Sequence, residues 1–232
     1  MLIRLTALFN NHLPRLIAFD LDGTLVDSAP DLATAVDRML VELGSSPAGE
    51  DNVRGWVGNG AAVLVKRALA GSADPTLVAQ VDDALHMQAL QHFRHFYQEE
   101  NGRLTRLYPG VVDVLQVLAD LGIPLAVITN KPLNFTLPLL QQTGIDHFFR
   151  QVIGGECLPH RKPHPLPLLH VCEQAGVPPT QALMVGDSRN DVEAAQAAGF
   201  ISAALTYGYN HGEPVAACNP DWLLDDFREL LL

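Results

Sequence analysis

Cysteine is scarce: Cys157, Cys172 and Cys218 are the only three in 232 residues, and no CxxC pair occurs. That excludes a disulfide framework and a cysteine zinc site, and it predicts a reducing, cytoplasmic setting. Basic residues are also few, 15 against 26 acidic ones, for a formal net charge of −11. Bulk electrostatics then disfavours nucleic acid and anionic membranes as partners, so an anionic ligand needs a locally positive site. Long apolar runs are absent as well. The stretch Met1 to Asn11 is interrupted by Arg4, is too short for a membrane span and lacks a small-residue cleavage site, so it reads as a short extension. Repeats and low-complexity segments are missing too. What remains reads as a soluble globular chain, long enough for one domain of moderate size or a core with an inserted module.

Against that background one stretch organises the rest, Phe19-Asp20-Leu21-Asp22-Gly23-Thr24. It follows Leu16-Ile17-Ala18-Phe19, an apolar run expected to form a strand buried on both faces. Two carboxylates at the end of a buried strand are costly unless something uses them. Gly23 then permits a sharp turn that brings backbone N–H groups close to whatever the acids face. A calcium loop requires a late bidentate Glu, which the following residues lack. A plain solvated acidic turn is the other reading of these residues alone.

Ser28-Ala29-Pro30-Asp31 has a helix-start pattern, with Ser28 as N-cap and Asp31 three residues on as a variant capping box. Helical period then runs from Leu32 to Leu43, again over Ala61–Ala70, and in a third helix from Asp74-Pro75 toward Tyr97. Residues 29–105 therefore read as an all-helical module. From Tyr108 the pattern changes to helices alternating with short apolar strands: 125–129, 151–153, 182–186 and 201–205. Such αβ units predict an α/β fold with a doubly wound parallel, Rossmann-like sheet, its core made of 1–28 and 106–232. The ligand site of such a sheet lies outside the carboxyl ends of its strands.

Polar residues cluster at those expected strand ends. Thr129-Asn130 offers a hydroxyl and an amide suited to phosphate oxygens, or ordinary strand-end caps. Lys162 sits in a stiff Pro-flanked loop beside His160 and His164, which have no third partner at ligand spacing and read as structural. Asp187 and Asp191 are four apart across a helix start, where Asp191 suits capping as well as function.

Taken together, Asp20-Leu21-Asp22-Gly23-Thr24, Thr129-Asn130, Lys162 and Gly186-Asp187-Ser188-Arg189-Asn190-Asp191 resemble, in order, the signature motifs of the haloacid dehalogenase superfamily of phosphotransferases. The helical module resembles that superfamily's α-helical cap. Gly55 to Gly60, Tyr108-Pro109-Gly110-Val111, Lys131-Pro132, Lys162-Pro163-His164-Pro165 and Thr206 to Asn210 are similar to the superfamily's bacterial phosphoglycolate phosphatases. One departure is Glu156-Cys157 where that family carries Asp-Thr. The resemblance implies magnesium-dependent hydrolysis of a small phosphomonoester, 2-phosphoglycolate, through an aspartyl-phosphate. It makes Asp20 the nucleophile and Asp22 the general acid and base. Metal ligands would be Asp20, the Asp22 carbonyl and Asp187, with Asp191 behind them. Lys162, Thr129, Asn130 and the Gly23 region would bind phosphate. A phosphomutase would keep the same residues, a dehalogenase would need neither Asp22 nor magnesium, and a non-catalytic phosphate-binding module would need no such complete set. The glycolate carboxylate would need a cationic or N–H partner, and Arg54, Lys66 and Arg67 are the cations near the Gly-rich segment in sequence. A monomer or small homo-oligomer is anticipated.

Overall fold

The computed structural model describes residues 2–232. In chain order the elements are α1 (Ile3–Ala7), β1 (Leu16–Phe19), β2 (Val26–Asp27), α2 (Ala29–Glu42), α3 (Glu50–Trp56), α4 (Ala61–Ala70), α5 (Pro75–Val78) and α6 (Asp83–Glu100). They continue with β3 (Arg106–Leu107), α7 (Val111–Asp120), β4 (Leu125–Ile128), α8 (Leu133–Thr143), β5 (Phe149–Ile153), α9 (Leu166–Ala175), β6 (Ala182–Gly186), α10 (Arg189–Ala198), β7 (Ile201–Leu205) and β8 (Trp222–Leu224).

Six strands form a parallel sheet in the order β5-β4-β1-β6-β7-β8. The chain winds outward from β1 first through β4 and β5, then back across it through β6, so β1 lies at the reversal of strand order, where a doubly wound sheet opens its ligand crevice. Every residue of β1, β4 and β6 is buried. Their alternate side chains feed two different cores, as a period of two requires. Ile17, Phe19, Leu183 and Val185 meet α7, α8 and the C-terminal Phe227 and Leu230 on one face. Leu16, Ala18, Ala182 and Met184 meet α9 and α10 on the other.

Between β2 and β3 every element is helical, and α2, α3, α4 and α6 share a hydrophobic cluster around Met39, Trp56, Phe93 and Tyr97, which Phe135 of α8 and Tyr209 also join. The antiparallel pairing of β2 with β3 sets the two chain crossings into this region side by side. No helix among the described residues is long and apolar enough to cross a membrane.

Several local expectations are corrected. Ser28 does not cap α2 with its side chain; its hydroxyl donates instead to Asp22 Oδ1 at 2.5 Å. Asp31 does not complete a capping box but accepts from the backbone N–H groups of Gly102, Leu104 and Thr105 and from Thr105 Oγ1, at 2.6–3.0 Å. The helix expected from Asp74 to Tyr97 is two helices, because Asp82 caps a fresh start by accepting from Leu85 N–H. Residues 50–56, left unassigned by the apolar pattern, form α3. The N-terminal stretch forms α1, whose Leu5 is fully buried and whose neighbour Leu2 donates its N–H to Leu231 O. The strand Trp222–Leu224 adds an edge that the sequence pattern did not reveal.

Asp31 is thus a buried anion that ties the start of α2 to the segment returning to β3. Replacing it with alanine is expected to lower the unfolding free energy by about 3 kcal/mol, since the donors it serves lose a charged acceptor away from water. Urea denaturation checks this, and an unchanged midpoint would mean that the clamp contributes nothing.

Candidate active site

Asp20 leaves the carboxyl end of β1 while its N–H is still bonded to Val185 O across the sheet. Its Oδ1 accepts from Leu21 N–H at 2.7 Å and lies 3.0 Å from the ammonium of Lys162. Lys162, 2% exposed, also donates to Asp191 Oδ1 at 2.6 Å. The other Asp191 oxygen accepts from Ser188 N–H, Ser188 Oγ and Asp187 N–H, so one carboxylate caps α10 and holds the lysine at once. Asp187 is fixed by Thr24 Oγ1 and by Tyr209 N–H, each at 2.6 Å. Glycine is required around these acids. A Cβ on Gly23 or Gly208 would lie 2.2 Å from Asp187 Oδ2, and one on Gly186 would lie 2.2 Å from Asp191 Cγ. Gly23 also adopts φ +88°, which side chains resist.

Burial dominates the electrostatics. It pushes the Asp20 carboxyl up to about 7, with Lys162 opposing and the negative charges of Asp191 and Asp22 adding to the rise. Burial, then Asp191 and Asp20, raise Asp187 well above the usual carboxylate range. For Lys162, burial disfavours the cation, but Asp191 and Asp20 more than offset it and the net shift is upward. Oxygens of Asp20, Asp187 and Asp191 lie within 4.8 Å of one another. An all-oxygen, net-negative cluster walled by glycines suits a hard metal cation; Asp20 Oδ2 accepts no hydrogen bond and each Asp187 oxygen accepts only one, whereas Asp191 is held by Lys162 on one oxygen and by three donors on the other.

A second charged group stands beside the first. The Asp22 carboxylate turns away from the acid cluster to Ser28 Oγ and to Lys131, whose Nζ is 3.0 Å from Oδ1 and 3.3 Å from Oδ2. Lys131 Nζ donates also to Tyr97 Oη of α6 at 2.5 Å. Thr129 is buried at the end of β4. Asn130 does not offer its amide N–H groups to a ligand; they donate to Gly58 O at 3.0 Å and Lys162 O at 2.9 Å. It therefore joins the Gly-rich segment to the lysine loop. A cavity of about 40 Å³ opens here, lined by Asp20, Asp22, Thr129, Lys131, Tyr97 and Gly58 among others. All eight residues marked from the sequence, Asp20, Asp22, Gly23, Thr129, Asn130, Lys162, Asp187 and Asp191, thus meet at the carboxyl edge of the sheet. Lys131 and Tyr97 were missed: the signal for Lys131 was its place directly after Thr129-Asn130, whereas Tyr97 looked like one more helical core position.

The three cations near the Gly-rich segment in sequence are engaged elsewhere. Arg54 pairs with Asp27 and Glu50, Lys66 with Asp83, and Arg67 donates to Trp56 O, and none lines the cavity. Asp27 is further bound by the Tyr209 hydroxyl. Glu156 is exposed and lies 3.4 Å from Arg94 of α6. His160 and His164 stack on each other at 4.2 Å between ring centroids, outside the acid cluster.

Comparison with known proteins agrees with this layout. A Pseudomonas putida protein named phosphoglycolate phosphatase is 58% identical over 97% of this chain and 81% of its own length. A Pseudomonas aeruginosa protein named phosphoglycolate phosphatase 1 is 52% identical over 96% of this chain and 80% of its own. The crystal structure of a predicted phosphoglycolate phosphatase from Haemophilus somnus superposes with a TM-score of 0.87 at 42% identity, covering 94% of this chain and 96% of that one. The family described as haloacid dehalogenase-like hydrolase matches residues 14–199, and with four buried motifs converging on one sheet edge the chain belongs to that family.

Proposed function

We propose that this hydrolase is a magnesium-dependent phosphatase that converts 2-phosphoglycolate to glycolate and phosphate. The observation that carries the reading is the buried Asp20–Lys162–Asp191 chain beside Asp187, in which Asp20 lines, with Asp22 and Thr129, a cavity of only about 40 Å³. By the same measure one water needs roughly 10–15 Å³, so the space suits a two-carbon leaving group better than a hexose. Relatives named for this activity and similar along nearly the whole chain support the same substrate. In this reading residues 29–105 act as a cap over a catalytic core of 1–28 and 106–232. Three free cysteines suit a reducing cytoplasm.

In the proposed mechanism, an Asp20 oxygen attacks phosphorus, and the bond from phosphorus to the ester oxygen breaks as Asp22 delivers its proton to that oxygen. An acyl phosphate on Asp20 results, and free glycolate leaves. Asp22, now a carboxylate, takes a proton from water as the water oxygen attacks phosphorus, which breaks the bond to Asp20 and releases phosphate. Lys162, Thr129 and the N–H groups after Asp20 meet the charge on the phosphoryl oxygens. Held by Asp20, Asp187 and the Asp22 carbonyl, with Asp191 behind, magnesium would offset phosphoryl charge and favour ionised Asp20. Asn130 positions Lys162 and the Gly-rich segment.

Phosphate release from 2-phosphoglycolate, hexose phosphates and pyrophosphate, with and without magnesium, tests the proposal. A metal-dependent kcat/KM that is highest for 2-phosphoglycolate is expected. A preference for hexose phosphates would keep the chemistry and remove the substrate. Asp20→Asn is expected to cut kcat by about 10⁴-fold or more while leaving a folded protein.

Burial also gives the metal site a pH signature. Asp20 holds a proton up to about 7 in the fold, against 3.8 for the ordinary carboxyl, and Asp187 shifts the same way. Between those values the folded state binds more protons than the unfolded one, so the stability of metal-free protein falls as pH rises through this window. A cation takes the place of those protons. Magnesium is therefore expected to raise Tm by several degrees at about pH 8 and by much less at about pH 5, and Asp187→Asn is expected to abolish the difference. Equal shifts at both pH values would argue that the ion binds elsewhere.

A further inference from the structure

The phosphoryl end of the site has Lys162 as its one protein cation, and the leaving-group end has one of its own. Among the residues lining the cavity, Lys131 alone carries a positive charge. Its surroundings are otherwise apolar: Leu32, Val57, Leu64, Phe93, Pro132 and Phe135 complete most of the wall. The side chain is 3% exposed and sits at the hydroxyl end of Tyr97, 4.7 Å from the ring centroid. An ammonium has three N–H donors; this one meets Tyr97 Oη at 2.5 Å and Asp22 Oδ1 at 3.0 Å, and its contact to Asp22 Oδ2, at 3.3 Å, is the longest. A ligand carboxylate can take over that third donor. Tyr97 accepts from Lys131, which leaves its own O–H to donate, and the phenol makes no other hydrogen bond. Two donors from opposite sides, one on β4's exit loop and one on α6, are thus available at a single apolar cavity.

Their position relative to the reaction is what gives them meaning. Asp22 must touch the ester oxygen to protonate it, and the carboxylate carbon of 2-phosphoglycolate is two bonds from that oxygen. A cation resting on Asp22 is therefore next to where that carboxylate must lie. Arg54, Lys66 and Arg67 are each committed to other partners outside the cavity.

We propose that Lys131, together with the Tyr97 hydroxyl, binds the carboxylate of the leaving group and is the specificity-determining residue of this site; this rests on the phosphoglycolate reading above. The charge is fixed, so the device selects by anion rather than by pH. It also requires α6 to be seated on the core, since half of the receptor belongs to each.

The test compares 2-phosphoglycolate with 2-hydroxyethyl phosphate, which has the same phosphoryl group and carbon count but a neutral alcohol in place of the carboxylate. The readout is the ratio of their kcat/KM values in wild type, Lys131→Met and Lys131→Arg. Methionine is expected to lower the ratio roughly 10- to 100-fold, the scale of hydrogen bonds to a charged group, and arginine to recover most of it. Thermal melts establish folding, and Lys131→Gln replaces methionine should that variant not fold. Should both esters lose the same factor in the methionine variant, Lys131 merely positions Asp22 and this inference is overturned while the phosphatase reading stands. Should the wild type show no preference for 2-phosphoglycolate, the substrate reading falls and the inference with it.

Discussion

Everything at this sheet edge depends on burying more negative charge than positive. Asp20, Asp187 and Asp191 are each at most 8% exposed, and a single buried ammonium, Lys162, touches two of them. An arrangement of that kind is unfavourable in isolation, because desolvation and like-charge repulsion both favour protonated acids. It is also what makes the site useful. A cavity that is short of positive charge favours a metal cation, and in the proposed mechanism that cation with Lys162 would give an acidic protein a place to receive a dianion. The formal charge of −11 and the binding of an anionic ester are reconciled at this one point.

The fold meets the cost with backbone rather than with more side chains. Asp187 is held by the N–H of Tyr209 and Asp191 by two N–H groups at the start of α10, where the helix dipole also favours an anion. Glycines at 23, 186 and 208 let these groups approach at distances that a Cβ would forbid. Parallel strands β1, β6 and β7 deliver these loops to the same edge, so the chemistry is fixed to the buried middle of the sheet.

That geometry explains what the sequence disclosed. Strands buried on both faces write themselves as short apolar runs, and acids or amides immediately after such runs are conspicuous because burial makes them expensive. Hence β1, β4, β6 and the motifs that follow them were legible. Elements defined by other forces were not. The break between α5 and α6 is made by Asp82, while Leu77, Val81 and Leu85 keep their helical spacing across it. Helix α3 buries only Val53 and Trp56, too little for a period, and β8 is three residues long. Ser28 and Asp31 have the composition of a capping box, yet tertiary partners at Asp22 and at residues 102–105 claim both side chains.

The pairing of Lys131 with Tyr97 shows why the reaction is easier to read than the substrate. The residues proposed for the reaction are held at the sheet edge, and all but Lys162 follow closely on a strand. Recognition of the leaving group depends on a contact between an α6 side chain and a β4 loop, 34 residues apart and brought together only when helices pack on strands. Cations close to the Gly-rich segment in sequence, Arg54 and Arg67, are drawn off by Asp27 and Trp56 within the fold. Spacing along the chain therefore carries the chemistry, whereas selection among small phosphate esters follows from which side chains the packed helices bring to the second cation.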